Sequence, residues 1–267
     1  MTYLQGLAYG LVQGLSEFLP VSSSAHLTLL PWFLRWEDPG LGFDVALHVG
    51  TLIAVLSYFW RDWSVLIAAA ARSLGERSLE GNGKAQLFWK IVLASIPGAV
   101  IGVVFEQQAE GALRAPALIA GAMAGLGVIL YWADRQPNEQ DELDAIPWRG
   151  ALWIGIAQAA AIVPGVSRSG VTITAARLLG VGRETSARFS FLLSTPIIAG
   201  AAVVKARALL VAWHDPGQFL AVIASAVAGF MAIAGLIRYV RTRSYLPFVL
   251  YRLALAALVL AVLWSRA

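Results

Sequence analysis

Long apolar runs dominate the chain, and the polar residues inside them gather in two stretches. Residues 2–19 read as an apolar helix ending at Pro20, because proline lacks an N–H and clashes with the turn before it. A second helix, about 24–34, stops near Arg35 and the polar turn Glu37–Gly40. Neither piece reaches the roughly 20 residues that a span requires. A re-entrant helical hairpin over about 2–34 is therefore expected, with its irregular backbone shielded by protein or a wet cavity. Spans are expected at about 43–60, 88–105 and 116–133, with residues 63–75 amphipathic and lying on the interface. Residues 134–149 are polar and acidic and read as a cytoplasmic linker.

The pattern then returns. A second hairpin is expected at about 150–180, followed by spans at about 186–204, 218–237 and 246–264. Gln13 and Gln158, Ser22 and Ser167, and Ser24 and Ser169 are each 145 positions apart, and a proline precedes both serine clusters. The chain divides into a first repeat, 1–133, and a second, 150–267, each one broken hairpin plus three transmembrane helices. An odd number of crossings inverts the second repeat, and inverted repeats with broken helices place polar sites near the midplane. The expected fold class is an all-α polytopic membrane protein of two inverted repeats.

Composition agrees. Hydrophobic residues make up 58% of the chain and charged ones 13%, against about 25% charged in a soluble domain. Residues 1–12 lack a basic stretch followed by a cleavage site, so no cleavable leader is expected. The absence of cysteine excludes disulfides and thiolate chemistry. A net charge of +4 raises the question of nucleic acid, but basic residues in membrane proteins collect in cytoplasmic loops, and no nucleic-acid partner is expected. One set of loops carries Arg61, Arg72, Arg77, Lys84, Lys90, Arg135, Arg149, Arg177, Arg183, Arg188, Arg238, Arg241, Arg243 and Arg252. The other carries Arg35, Arg114, Lys205, Arg207 and Arg266. The first set is assigned to the cytoplasm, which places both termini outside.

Glu17 is the one carboxylate between Met1 and Trp36. A charged carboxylate at membrane depth costs about 2.5–3.5 kcal/mol and faces a cavity or a partner. It reads as a metal ligand or general base, or as a purely structural partner of Arg168. Gln13 shares its helix face. Arg168 stands between Ser167 and Ser169, after Pro164-Gly165 and before Thr172. A guanidinium fork, hydroxyls and a helix N-terminus together make an oxyanion cradle. Ser22, Ser23 and Ser24 follow the first break and are placed to cap a new helix. His26, three residues past Ser23, shares its face, the geometry of a nucleophile with an acid/base partner. His48 sits mid-span with no polar neighbour within a turn except Thr51 and reads as packing or lining. His214, beside Asp215, reads as solvated. Gly121, Gly125 and Gly127 read as close helix-packing positions. P-loop and His-Glu-x-x-His motifs are absent.

At these two stretches the sequence resembles the undecaprenyl-diphosphate phosphatase family, membrane enzymes linked to bacitracin resistance. The family's first motif stands here as Gln13, Glu17, Pro20-Val21-Ser22-Ser23 and His26. Its second stands as Pro164-Gly165-Val166-Ser167-Arg168-Ser169 with Thr172. Gln13 occupies a place where a second Glu is common, and Ala25 one where Gly is frequent. The resemblance implies dephosphorylation of a C55 polyprenyl diphosphate on the outer face of the bacterial inner membrane, dependent on Mg²⁺ or Ca²⁺ held by Glu17 and Gln13. Arg168, Ser167, Ser169, Thr172, Gly165, Ser22 and Ser24 would hold the phosphates, Ser23 would attack, and His26 would donate a proton. His26 as the nucleophile stays open, as does a rival reading, a polyprenyl-phosphate transporter using the same anion site. Partners beyond the lipid substrate and bilayer are limited to a homodimer.

Overall fold

The computed structural model describes residues 1–105, 107–108, 111–206 and 215–266. Among these residues the chain forms α1 (Tyr3–Phe18), α2 (Ser23–Leu34), α3 (Leu41–Tyr58), α4 (Trp60–Glu76), α5 (Gly83–Val104), α6 (Pro116–Ala133), α7 (Trp148–Ala159), α8 (Arg168–Leu178), α9 (Arg183–Val204), α10 (Pro216–Val240) and α11 (Leu246–Arg266). Five of them, α5, α6, α9, α10 and α11, are long and apolar enough to cross a membrane, and α3 with α4 qualifies as a pair bent by 79°. Each expected span coincides with a helix, and the amphipathic stretch lies in α4. The protein is an all-α, multi-pass membrane protein. The expectations for His214 and Arg207 lie outside the described residues.

α1 shows why the sequence folds this way. Thr2 and Gln5 close a capping box at its start. Six of its eight buried residues, Gly6, Tyr9, Gly10, Gln13, Gly14 and Glu17, recur every three or four positions and so share one face; Ser16 and Phe18 are the others. Leu4, Leu7, Leu11 and Leu15 are exposed. In lipid a leucine loses nothing by facing outward, whereas small residues facing inward let backbones approach. The helix is therefore inside-out compared with one from a soluble core.

Its small face packs along α10, and α7 packs in the same manner along α5. A Cβ added at Gly10 would lie 2.3 Å from the carbonyl oxygen of Ala221, and one at Gly155 would lie 2.3 Å from that of Ala94. These two glycines stand at the same 145-residue offset as the serine clusters. Other contacts are reciprocal too: α3 packs on α10 and α9 on α5, α3 meets α9, and α6 meets α11. The first helix of each hairpin thus leans on a span from the other part of the chain.

Two readings of the sequence need correction. Nothing lies within 4 Å of a Cβ added at Gly121 or Gly125, so neither is a close-packing site. At Gly127 the nearest atom is the Arg252 Cβ at 3.5 Å, an ordinary contact. Several cations assigned to loops are interior: Arg252 lies within α11 and is fully buried, Arg177 within α8 is buried, and so is Lys90 in α5. Arg177 stitches the linker in place by donating to Asn138 Oδ1 (2.7 Å), the Val181 carbonyl (2.6 Å) and the Gln136 carbonyl. Asp134 is held by Arg183 Nε at 2.6 Å and by the Tyr245 amide at 3.0 Å.

Gly10→Leu should force α1 off α10 and cost about 1–3 kcal/mol, the usual range for overpacking. Gly125→Leu, with open space around it, should stay within about 0.5 kcal/mol of wild type. Thermal unfolding of the two variants in detergent checks the contrast, and equal melting temperatures would remove the close-packing argument.

Candidate active site

Both hairpins break at a proline, and by the same local means. Leu19 and Val163, each preceding a proline, are extended, as the clash with the proline ring requires. Ser22 and Ser167 then take positive φ values of 77° and 71°, a region that costs a non-glycine residue roughly 1–3 kcal/mol. Each caps the helix that follows, with its hydroxyl accepting from the amide of Ala25 or Gly170. Each is also paired with the serine two residues on: Ser22 with Ser24 at 3.2 Å and Ser167 with Ser169 at 3.2 Å.

The two breaks touch tip to tip. The Gly165 amide donates to Ser22 Oγ at 3.1 Å, and Ser169 Oγ donates to the Leu19 carbonyl at 3.0 Å. Arg252, from α11, fastens both. It donates to the Pro20 carbonyl in the first break (3.2 Å), to the Gly165 carbonyl in the second (2.7 Å), and to the Met123 carbonyl of α6 (3.0 Å). Carbonyls freed by breaking a helix at membrane depth need such a partner. The sequence does not reveal this role, because Arg252 lies close to the start of α11, where counting charges assigns it to a basic loop.

Glu17 occupies the centre of the junction. Its Oε1 accepts from Arg168 at 2.7 Å. Its Oε2 accepts from Ser23 Oγ at 2.5 Å and from Gln13 Nε2 at 3.2 Å. Glu17 is only 5% exposed, and Arg168 is further fixed by the Ser190 carbonyl at 3.0 Å. Ser23 opens α2 and Arg168 opens α8, so two helix N-termini converge on this carboxylate. Each brings amides without intrahelical acceptors and the positive end of a helix dipole. Such an arrangement attracts anions.

His48 is a second correction. It does have a polar partner, on another helix: its Nε2 lies 3.3 Å from Glu17 Oε2. His26 is oriented differently from what its spacing to Ser23 implies. Its Nδ1 meets the Ser22 carbonyl at 2.6 Å, and its Nε2 meets the Tyr251 hydroxyl at 2.5 Å, with the two rings stacked at 5.6 Å. It therefore joins the cluster through Ser22, with its other edge held by Tyr251 of α11. Tyr251 carried no signal in the sequence. Thr172 Oγ1 donates to the Arg168 carbonyl at 2.8 Å and pairs with Ser190 Oγ at 2.7 Å. In this arrangement Ser22 and Ser169 bond across the two breaks, Ser167 caps α8, and Thr172 ties α8 to α9.

No set of three His, Asp or Glu converges among the described residues. Glu17 and Gln13 nevertheless offer two oxygens, and Gln13 Oε1 is buried without a hydrogen-bond partner. Two oxygens suit Mg²⁺, which is commonly held by one or two protein ligands together with substrate phosphates and water.

Two cavities lie away from this junction. One of about 890 Å³ is lined by Arg61, Asp62, Lys84, Asp144, Arg188 and Arg241, among others, and no site residue borders it. Three buried rings pack together beside Glu17: Phe18, its neighbour in the chain, meets Phe191 edge-on at 5.2 Å, and Phe191 lies 6.4 Å from Phe59. Arg188, bound to Asp62 at 2.9 Å, stands over Phe59.

Arg168→Ala should abolish turnover and also strand a buried carboxylate, which costs about 3–5 kcal/mol. Adding Glu17→Gln should restore much of the lost stability but none of the activity. Melting curves and turnover of the single and double variants test this, and a double variant no more stable than Arg168→Ala would show the pair to be energetically idle.

The comparisons with known proteins agree with one another. The family described as bacitracin resistance protein BacA matches residues 6–258. A protein named undecaprenyl-diphosphatase from Moorella thermoacetica is 53% identical over 267 residues, covering 100% of both chains. A protein of the same name from Pelotomaculum thermopropionicum is 49% identical over 263 residues, covering 98% of this chain and 97% of the relative. Another, from Desulforudis audaxviator, is 49% identical over 271 residues and covers 100% of both. With its length matched almost throughout and both hairpin breaks inside the match, the chain belongs to the bacitracin resistance protein BacA family.

Proposed function

We infer that this protein is a phosphatase that hydrolyses undecaprenyl diphosphate to undecaprenyl phosphate and inorganic phosphate. The observation that carries the reading is the serine hydroxyl held 2.5 Å from a buried carboxylate whose other oxygen is bound by an arginine, in a chain whose close relatives bear the diphosphatase name. A carrier of polyprenyl phosphates needs an anion site but no nucleophile set against a base, so the Ser23–Glu17 contact favours hydrolysis.

The terminal phosphoryl group is bound at the two helix N-termini with Arg168 on its oxygens. Ser23 Oγ attacks phosphorus as its proton passes to Glu17. The anhydride P–O bond breaks, and undecaprenyl phosphate leaves. Water then cleaves the phosphoserine, returning the proton to Ser23 and releasing inorganic phosphate. Catalysis here is mainly positioning and charge stabilisation, as in phosphoryl transfer generally. His26 keeps its Nδ1 proton on the Ser22 carbonyl, and its Nε2 exchanges the Tyr251 hydroxyl for the leaving phosphate when it transfers a proton. Mg²⁺ or Ca²⁺ on Glu17 and Gln13 would screen phosphate charge.

The reciprocal helix contacts support two repeats of opposite orientation, with the linker as their boundary. On the positive-inside rule the cavity carrying Arg61, Lys84 and Arg188 faces the cytoplasm of a bacterial inner membrane. Met1 meets Asp215 at 3.0 Å, and Arg266 reaches the Trp32 carbonyl at 3.1 Å. We place this end, with both termini, in the periplasm. The described site is built by one chain, so a homodimer is not required for the chemistry.

Purified protein should release inorganic phosphate from undecaprenyl diphosphate, lose that activity to a chelator and regain it with Mg²⁺ or Ca²⁺. Quenching turnover with acid should trap a labelled phosphoenzyme that survives acid, because phosphoserine does and phosphohistidine does not. Ser23→Ala should abolish the adduct. An acid-labile adduct that persists in Ser23→Ala would transfer the nucleophilic role to His26.

A further inference from the structure

We propose that His48 is a positioning residue that fixes the Glu17 carboxylate against Ser23. The inference rests on the phosphatase reading above and assigns that site a component drawn from a separate helix. His48 lies in the middle of α3. Its Nδ1 is 2.6 Å from the Asp44 carbonyl, one turn back. A carbonyl only accepts, so this nitrogen carries a proton and the ring plane is set. Its Nε2 lies 3.3 Å from Glu17 Oε2, an ion pair in which the second N–H of the imidazolium faces the carboxylate. That oxygen is also the one on which Ser23 Oγ donates.

The need for such a donor follows from the freedom of a glutamate. The last torsion of its side chain is broad and roughly two-fold. Arg168 holds Oε1 through one nitrogen, Nη2, and a single contact leaves the carboxylate free to swing about it. Gln13 is on the same helix as Glu17 and moves with it. His48 grips Oε2 from a different element. α3 is itself braced, since Ser225 Oγ of α10 donates to the Leu47 carbonyl at 2.9 Å. Three elements, α2, α3 and α8, therefore converge on one carboxylate. Without His48, Oε2 keeps only donors that shift with the hairpin or that take part in the reaction. A side chain serving merely as packing would not need both ring nitrogens on acceptors, and the ring is 27% exposed.

Glutamine preserves a donor at this position, whereas alanine and leucine remove it. His48→Ala and His48→Leu should lower kcat about 10- to 100-fold, the scale of a small misplacement of a reacting group. KM should stay within about threefold, since the phosphate ligands are intact, and the melting temperature should not change. His48→Gln should recover kcat to within about threefold of wild type. Independently of turnover, the Glu17 carboxylate stretch, isolated as the infrared difference between each protein and its Glu17→Gln counterpart, should be one narrow band in wild type and His48→Gln. It should be broadened in His48→Ala and His48→Leu. A wild-type rate in His48→Ala, a His48→Gln variant as slow as His48→Leu, losses that follow KM or melting temperature, or an unchanged carboxylate band in His48→Ala would each overturn the proposal. A wild-type protein that releases no phosphate would instead refute the phosphatase reading, and the infrared series would still decide the role of His48.

Discussion

An ion pair at membrane depth joins the two broken hairpins. Glu17 on the first and Arg168 on the second meet at 2.7 Å, and neither tolerates solitude there, because a lone charge in the hydrocarbon region is expensive. A buried pair adds little net stability compared with a well-packed apolar replacement. What it supplies is specificity of arrangement. The two tips must come together for either charge to be satisfied, and bringing them together assembles the hydroxyl, the carboxylate and the guanidinium in one place. The contact that completes the fold is also the contact that builds the site.

Breaking a helix in lipid has a second consequence, and the structure answers it with one side chain. The turn at each proline frees carbonyls that would otherwise accept from an amide a turn later. Arg252 collects carbonyls from both breaks and from α6. Its planar fork of donors matches this task in a way a lysine could not. The positive φ of Ser22 and Ser167 is stored strain, tolerated because each serine both caps a helix and bonds its own neighbour. The junction is therefore over-determined, which suits the nucleophile proposed for it.

Much of this was legible in the sequence. Pro20 and Pro164 mark the breaks, the serines after them mark new helix starts, and the 145-residue offset joins the two stretches. These signals are local, and local chemistry survives into the structure. The failures are all non-local. His48 looks like lining because nothing along α3 marks it as part of a site, yet its Nε2 partner, Glu17, comes from α1. Arg252 looks like an ordinary basic residue close to a span's start, since counting charges by loop says nothing about a guanidinium turned inward. Glycines at helical spacing indicate that some face is bare, and only the neighbouring helix decides whether that face is approached: Gly10 is, and Gly125 is not. His26 was placed by its spacing to Ser23, but its ring is claimed by Tyr251 from a helix more than two hundred residues away.

The inside-out pattern of α1 bears on how a long lipid could be handled by so small a site. The polar face of α1 ends at Glu17 while its leucines remain exposed along the opposite face. A C55 chain does not need an internal tunnel if the surface beside the site is already a lipid-compatible wall. On the proposed mechanism only the diphosphate has to reach the junction, where two helix N-termini and Arg168 surround one carboxylate. Recognition is then divided by solvent: the bilayer accommodates the tail, and the protein contributes affinity only where phosphate replaces water. The buried rings of Phe18, Phe191 and Phe59 fit this division: they pack against one another starting from the residue next to Glu17, and Arg188, which borders the charged cavity, stands over Phe59.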